Sequence, residues 1–224
     1  PVPDKMENVV FVEGHFLRPG GLQWFDGMRL SDAIPNVNHL LPEPGLRFVL
    51  VRRERQPDRS IEVLVSRLDE VFTDKNSTAN LVLLPKDKVF LFGLSDEAVK
   101  LRNTVLSNLV VELRQHVSQE QAESVVGIEG NVQWPGDYPL PAHMTLPDLI
   151  RIAGDVAPNT DLRYVLLVRE NPEGTKLSAQ SFDLSLGDGA AAAHEVSLSP
   201  RDQVYIFDEQ SERSGVLRKW RTEC

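Results

Sequence analysis

The chain has a single cysteine, Cys224, so it can form neither an internal disulfide nor a multi-cysteine zinc or iron–sulfur site from its own residues. Histidine is scarce as well. His15, His39, His116, His143 and His194 are dispersed, with no His-x-x-x-His pair, and no Gly-x-Ser-x-Gly nucleophile turn occurs. No catalytic or metal-binding motif assembles locally, which points to a non-enzymatic chain without metal or cofactor. No apolar run approaches the roughly 18 to 20 residues of a membrane helix, and no charged, apolar, small-residue leader opens the chain. Because it begins at Pro1, we expect a leader, an anchor or whole domains to have been removed. Basic residues are in deficit, 24 against 33 acidic, and the net charge of −9 opposes bulk attraction to nucleic acid or anionic lipid. Gly187-Asp188-Gly189-Ala190 lacks the Lys-Ser/Thr ending of a phosphate loop and reads as a plain loop.

What the sequence does hold is a duplication. Its 224 residues, 41% hydrophobic, suffice for one large core or two small ones. Gly14 and Gly130, Pro19 and Pro135, Gly20 and Gly136, Met28 and Met144, Leu30 and Leu146, and Asp32 and Asp148 are all 116 residues apart. The ungapped pair 12–54 and 128–170 holds 15 identities in 43 positions, where unrelated sequences share roughly three. Each copy closes alike after a one-residue slip: Pro85-Lys86-Asp87 before Val89 to Phe92, and Pro200-Arg201-Asp202 before Val204 to Phe207. Pro-basic-Asp is a turn leading into a β-rich run.

Within each copy, Val9 to Val12 and Ser124 to Ile128 are β-branched runs ending at glycine, and Pro-Gly predicts a turn into a second strand near Leu22 to Trp24 or Tyr138 to Leu140. Thr145 is a predicted helix N-cap, with Leu146, Leu149, Ile150 and Ala153 on one face and Gly154 as the stop. Pro35 interrupts the equivalent helix of the first copy, which predicts a short or displaced helix there. Phe48 to Val51 and Tyr164 to Val168 read as buried strands, Ser60 to Ser66 as a half-exposed one. Hairpin, helix, then further strands is the order of a β-grasp sheet over a single helix. Between the copies, Ser95 caps a predicted helix bearing Val99, Leu106, Leu109, Leu113 and Val117 as a stripe, with Val105 and Val110 beside it; it either packs on a flanking domain or contacts another subunit.

The second copy, through Gly130-x-Val132-x-x-Pro135-Gly136-x-Tyr138-x-Leu140, Thr145-Leu146-x-Asp148-Leu149-Ile150-x-x-Ala153-Gly154 and Pro200-x-Asp202-x-Val204-x-Ile206, resembles the soluble-ligand-binding β-grasp (SLBB) repeat of outer-membrane polysaccharide export proteins. Asp155 stands where that pattern has a second glycine, and Arg201 where it has Pro-Gly-Asp; Leu22 and Asn38 replace Tyr and Gly in the first copy. The resemblance implies an α+β chain of two tandem β-grasp, ubiquitin-like domains joined by a helical connector. The boundaries are 1–93, 94–123 and 124–208, followed by a tail 209–224. It further implies a place on the periplasmic side of a Gram-negative outer membrane, in a homo-oligomeric ring that exports capsule or exopolysaccharide beside an inner-membrane polysaccharide co-polymerase. A small-molecule module of cobalamin-binding type is the alternative.

The stretch Val132 to Leu140, VQWPGDYPL, carries the candidate site. On one reading Trp134 and Tyr138 are cross-strand neighbours covering the helix. On another, one ring faces outward as a plate for a sugar, with Gln133 or Asp137 bonding its hydroxyls; on a third, the hairpin tips join subunits into the ring. Arg18 takes the place of Trp134 in the first copy and Trp24 follows its turn, which makes both further contact candidates. Gly14, Pro19, Gly20, Gly130, Pro135 and Gly136 are structural turn residues. Arg47 and Arg163, with Arg53-Glu54 and Arg169-Glu170, are expected to pair on the exposed sheet face.

Overall fold

The computed structural model describes residues 8–115, 123–171, 176–185 and 196–209. The chain forms two compact units, Pro1–His116 and Val117–Cys224. In the first, β1 (Val9–Gly14) and β2 (Gly20–Gln23) make a hairpin, followed by α1 (Leu30–Ala33), a 3₁₀ turn (Val37–His39), β3 (Pro44–Glu54), β4 (Ile61–Ser66), α2 (Leu68–Thr73), β5 (Lys88–Gly93) and α3 (Asp96–Gln115). The second runs β6 (Val125–Gly130), β7 (Gly136–Pro139), α4 (Leu146–Ile152), β8 (Thr160–Glu170), β9 (Leu177–Phe182) and β10 (Gln203–Asp208).

Two five-stranded mixed sheets result, ordered β2-β1-β5-β3-β4 and β7-β6-β10-β8-β9. In each, the first and last strands of the unit lie side by side and parallel, and every other pair is antiparallel. The duplication extends to register. Val9 faces Gln23 as Val125 faces Pro139, and Glu54 faces Ile61 as Glu170 faces Leu177, all 116 apart. Phe11 faces Lys88 as Gly127 faces Gln203, where the closing strand carries the one-residue slip. Since a slip against a buried face would turn every core side chain outward, this shared register is what two equal cores require.

One face of the first sheet, with Val10, Val12, Val49, Val51, Val89 and Leu91, packs on Leu30, Ile34, Leu68 and Val71. Alternation sends Phe90 and Phe92 to the other face. There α3 lies along β5 and β1, burying Leu106, Leu109, Val110 and Leu113. Ser95 Oγ accepts from Ala98 N at the start of this helix, and Arg52 of β3 pairs with its Glu112. By its contacts the helix therefore belongs to the first unit; Val117 lies outside the described residues. In the second unit Tyr205, Phe207, Leu166 and Val168 form a buried cluster on the face opposite Val204 and Ile206.

α4 starts where its capping pattern predicts. Thr145 Oγ1 accepts from Asp148 N while the Asp148 carboxylate accepts from Thr145 N. α1 is held to four residues, because Pro35 follows Ile34 directly and cannot continue the ladder. Four expectations change in detail. β2 and β7 begin two residues earlier than predicted, β3 and β8 run to eleven residues, and α2 is an additional helix in the first unit. Arg53 and Arg169 do not pair across the exposed face: each turns into the sheet toward a buried aspartate on the closing turn, described below.

Candidate functional site

The hairpin of the second unit is built from its glycine outward. Gly130 ends β6 at φ +95°, and a Cβ there would lie 1.9 Å from the Ile206 carbonyl oxygen, so only glycine admits the close approach of β10. Gly14 repeats this at φ +93°, with 2.2 Å to the Leu91 oxygen. Residues 131–135 then form the tip. Pro135-Gly136 is not the turn itself, since Gly136 already pairs with Ile128 in the ladder. Pro135, without an N–H, sits just outside that ladder.

The tip is tied down on the α4 side. Val132 bridges Val156, Gln133 N donates to the Asp155 carbonyl at 3.2 Å, and Trp134 N donates to Ala153 at 2.8 Å. The Trp134 ring lies on Gly154, where a Cβ would come within 2.4 Å of it. Asn131 Nδ2 donates to the Pro158 carbonyl at 3.0 Å and to Thr160 Oγ1 at 2.8 Å, fixing the following loop.

These contacts separate the candidates. Tyr138 is only 4% exposed, and its hydroxyl donates to the Trp134 carbonyl at 2.6 Å, so its ring is a core group that braces the tip from beneath. Trp134 is half-buried, while Gln133, Pro135, Gly136 and Asp137 are exposed. The tip thus presents part of an indole with an amide and a carboxylate nearby, an apolar plate beside polar groups. The first unit does not reproduce this. Arg18, Pro19 and Gly20 are exposed at its tip, but Trp24 lies at the far end of β2, about 13 Å along a four-residue strand. Its Nε1 donates to the Leu83 carbonyl at 2.8 Å. Arg18 and Trp24 are not brought together.

Among the described residues, the most buried charges lie elsewhere. Asp87 and Asp202 have fully buried side chains. Arg169 Nε and Nη2 donate to the two oxygens of Asp202 at 2.9 and 2.6 Å, Ser199 N adds a third bond at 2.8 Å, and Nη2 also reaches the Ser197 carbonyl. Arg53 grips Asp87 identically, with Leu84 N and the Val82 carbonyl as the further partners. The hydrogen bond with Asp202 raises the Arg169 pKa above its ordinary value. Each pair latches the turn before the closing strand to its neighbour strand. The repeated Pro-basic-Asp and the repeated arginine were the available sequence signals, but partners 33 or 34 residues apart declare themselves only in three dimensions.

The two departures from the SLBB pattern fall on left-handed backbone, Asp155 at φ 63° and Arg201 at φ 67°, which is why glycine suits both positions. Among the histidines, His15 Nε2 lies 2.6 Å from the Pro42 carbonyl, in the place of Asn131, and His39 Nδ1 meets Asn36 Oδ1 at 3.2 Å. His143 is exposed; His116, His194, Cys224 and the Gly187 to Ala190 loop lie outside the described residues. Among the described residues no three His, Cys, Asp or Glu side chains converge as metal ligands would, and no helix is long and apolar enough to cross a membrane.

Residues 125–178 match the family model of the SLBB domain. No curated protein matches the chain. The SLBB match covers β6, β7, α4, β8 and the first residues of β9, and so contains the Trp134 tip and the capped helix. An SLBB domain suggests a module for a soluble ligand. The first unit is linked to that domain through the shared register and the shared latch.

Proposed function

We propose that this chain is a non-enzymatic pair of SLBB β-grasp repeats from the periplasmic part of a polysaccharide export protein. It helps to form or extend the export ring, beside an inner-membrane polysaccharide co-polymerase, and touches the glycan at the second hairpin tip. The observation that carries the reading is the tip itself: within the SLBB match, a half-buried Trp134 rests on Gly154 and is flanked by exposed Gln133 and Asp137. Sugars present an apolar C–H face and a polar edge, and an indole with an amide and a carboxylate answers both. Hairpin, helix and strands in that order, with the first and last strands paired at the sheet centre, support the β-grasp assignment.

The test is an NMR titration with oligosaccharides from the source organism's own exopolysaccharide, run beside Trp134→Ala. Saturable amide shifts on Gln133 to Asp137 that vanish in the variant are expected. An absence of shifts at millimolar sugar would remove the glycan contact and leave the hairpin as a scaffold element.

A further inference from the structure

We infer that copies of this chain join head to tail through their first repeats, a leucine-lined cleft at one end of each receiving Phe25, Val82 and Leu84 from the other end of the next. The inference deepens the ring-forming part of the proposed function and rests on that reading for its setting. The contact itself is read from the side chains.

The first repeat carries apolar surface at both ends of its sheet. β5 runs parallel to β1 and antiparallel to β3, so Gly14, Gly93 and Pro44 share one end. Leu17, Leu41, Leu94 and Leu101 gather there, between 36% and 63% exposed. Leu41 and Leu101 line one cleft of about 280 Å³ with His15 and Gly93. Leu17 N donates to His39, two residues before Leu41, and Leu94 N donates to Glu43, two residues beyond it. The opposite end holds Gln23, which faces Val9, and the loop before β5, where Lys86 N donates to Val9. Phe25, Val82 and Leu84 lie at that end, 52%, 44% and 43% exposed. Met28 links them, its N donating to the Phe25 carbonyl and its carbonyl accepting from Leu83 N. Leu83 is fully buried, which turns Val82 and Leu84 outward together. The six residues of β5 set the two ends about 17 Å apart.

The second repeat provides an internal control at both ends. At the positions of Leu17, Leu41 and Leu94 it carries Gln133, Ala157 and Glu209, and at those of Phe25, Val82 and Leu84 it carries Pro141, Ser197 and Ser199. The backbone is the same in both copies. Leu17 N to His39 O matches Gln133 N to Asp155 O, Leu41 N to His15 O matches Ala157 N to Asn131 O, and Leu94 N to Glu43 O matches Glu209 N to Asn159 O. At the opposite end, Met28 N to Phe25 O at 3.0 Å matches Met144 N to Pro141 O at 3.3 Å, and Val82 bridges Arg29 as Ser197 bridges Thr145. Leu84 N and Ser199 N each donate to their latch aspartate at 2.8 Å. The fold therefore forms both ends without large apolar side chains. Those of the first repeat are surplus to folding, and exposed apolar surface without a folding role marks a contact site.

Shape selects the opposite end of a second copy as the occupant. A cavity of about 150 Å³ already admits a benzene ring, so the cleft of about 280 Å³ has room for the phenyl group of Phe25. Pairing like ends would set cleft against cleft and leave Phe25 without a hollow. Together the two surfaces offer on the order of 600 Å² of apolar area, the apolar share of a small specific interface of about 1,200 Å². Because the receiving and inserted surfaces differ, the contact is heterologous, and each copy keeps one end for the next, as a ring requires.

The test is sedimentation equilibrium of the chain without glycan, from about 1 to 500 μM. Wild type is expected to grow past two copies as concentration rises. Leu17→Gln/Leu41→Ala/Leu94→Glu writes the second repeat's residues into the receiving end, and Phe25→Ser/Val82→Ser/Leu84→Ser blocks the inserted end. Each variant alone should associate at least tenfold more weakly. An equimolar mixture of the two retains one intact contact and should form a dimer that stops at two. Should a triple variant lose the wild-type thermal midpoint, Leu101→Glu and Leu84→Ser make the same pair with single changes. A wild type that stays monomeric or stops at two, a blocked variant that dimerises by itself, or a mixture that stays monomeric would overturn the inference. No sugar is present, so loss of this contact leaves the glycan titration at Trp134 standing, and a failed titration leaves the contact standing.

Discussion

Replacing Asp202 by alanine removes the centre of the second latch. The fully buried carboxylate accepts bonds from Arg169 Nε and Nη2 and from Ser199 N, all at 2.9 Å or less. Breaking a buried ion pair by deleting one partner costs about 3–5 kcal/mol when the remaining charge is sealed off. Arg169 is 35% exposed and can turn to water, which reduces that penalty, whereas Ser199 N loses an acceptor outright. We expect about 2–3 kcal/mol. Arg53 is only 15% exposed, so Asp87→Ala should cost more, about 3–4 kcal/mol. Urea unfolding followed by tryptophan emission measures both in single-tryptophan versions of the chain, with Trp134 kept to report on the second unit and Trp24 on the first. At slopes of about 1–3 kcal/mol per molar urea, the affected transition should fall by roughly 1–4 M. Asp202→Asn, which keeps an acceptor for Ser199 N, should lie between wild type and alanine. Midpoints unchanged within error in both alanine variants would refute the latch as a stabilising element, and a larger loss for Asp202 than for Asp87 would refute the ranking by arginine exposure.

Three further outcomes follow from backbone geometry and the tip. Gly130→Ala places a methyl group 1.9 Å from the Ile206 oxygen and should unfold the second unit or cost more than about 3 kcal/mol, whereas Gly136→Ala, with nothing within 4 Å, should be the milder change; thermal melts of the two decide it. Asp155→Gly and Arg201→Gly relieve left-handed φ values of 63° and 67° and should each raise stability by about 0.5–1 kcal/mol, read as a higher thermal midpoint. Tyr138→Phe removes the bond to the Trp134 carbonyl and should cost about 1 kcal/mol in urea while leaving its ring buried.

Much of the architecture is legible along the chain because it is encoded locally or by repetition. The offset of 116 anticipates matching registers, since identical alternation in two stretches admits one pairing against a buried face. Thr145 and Asp148 announce α4 three residues apart, and Pro35 announces a short α1. α2 is harder to see: six residues with Leu68 and Val71 buried give less than two turns of period. The candidate site is legible in position but not in the direction of its rings.

The sequence by itself determined the two repeats, the order of their elements apart from α2, and the glycines that β5 and β10 approach. Only the tertiary structure decided that Tyr138 turns inward and bonds the Trp134 carbonyl, that Trp24 is spent on Leu83, that Arg53 and Arg169 reach buried aspartates, and that α3 packs on the first sheet. The reason is physical. Period and capping are properties of neighbours in the chain, whereas a side chain's destination depends on which distant backbone carbonyl or carboxylate the fold places within about 3 Å of it.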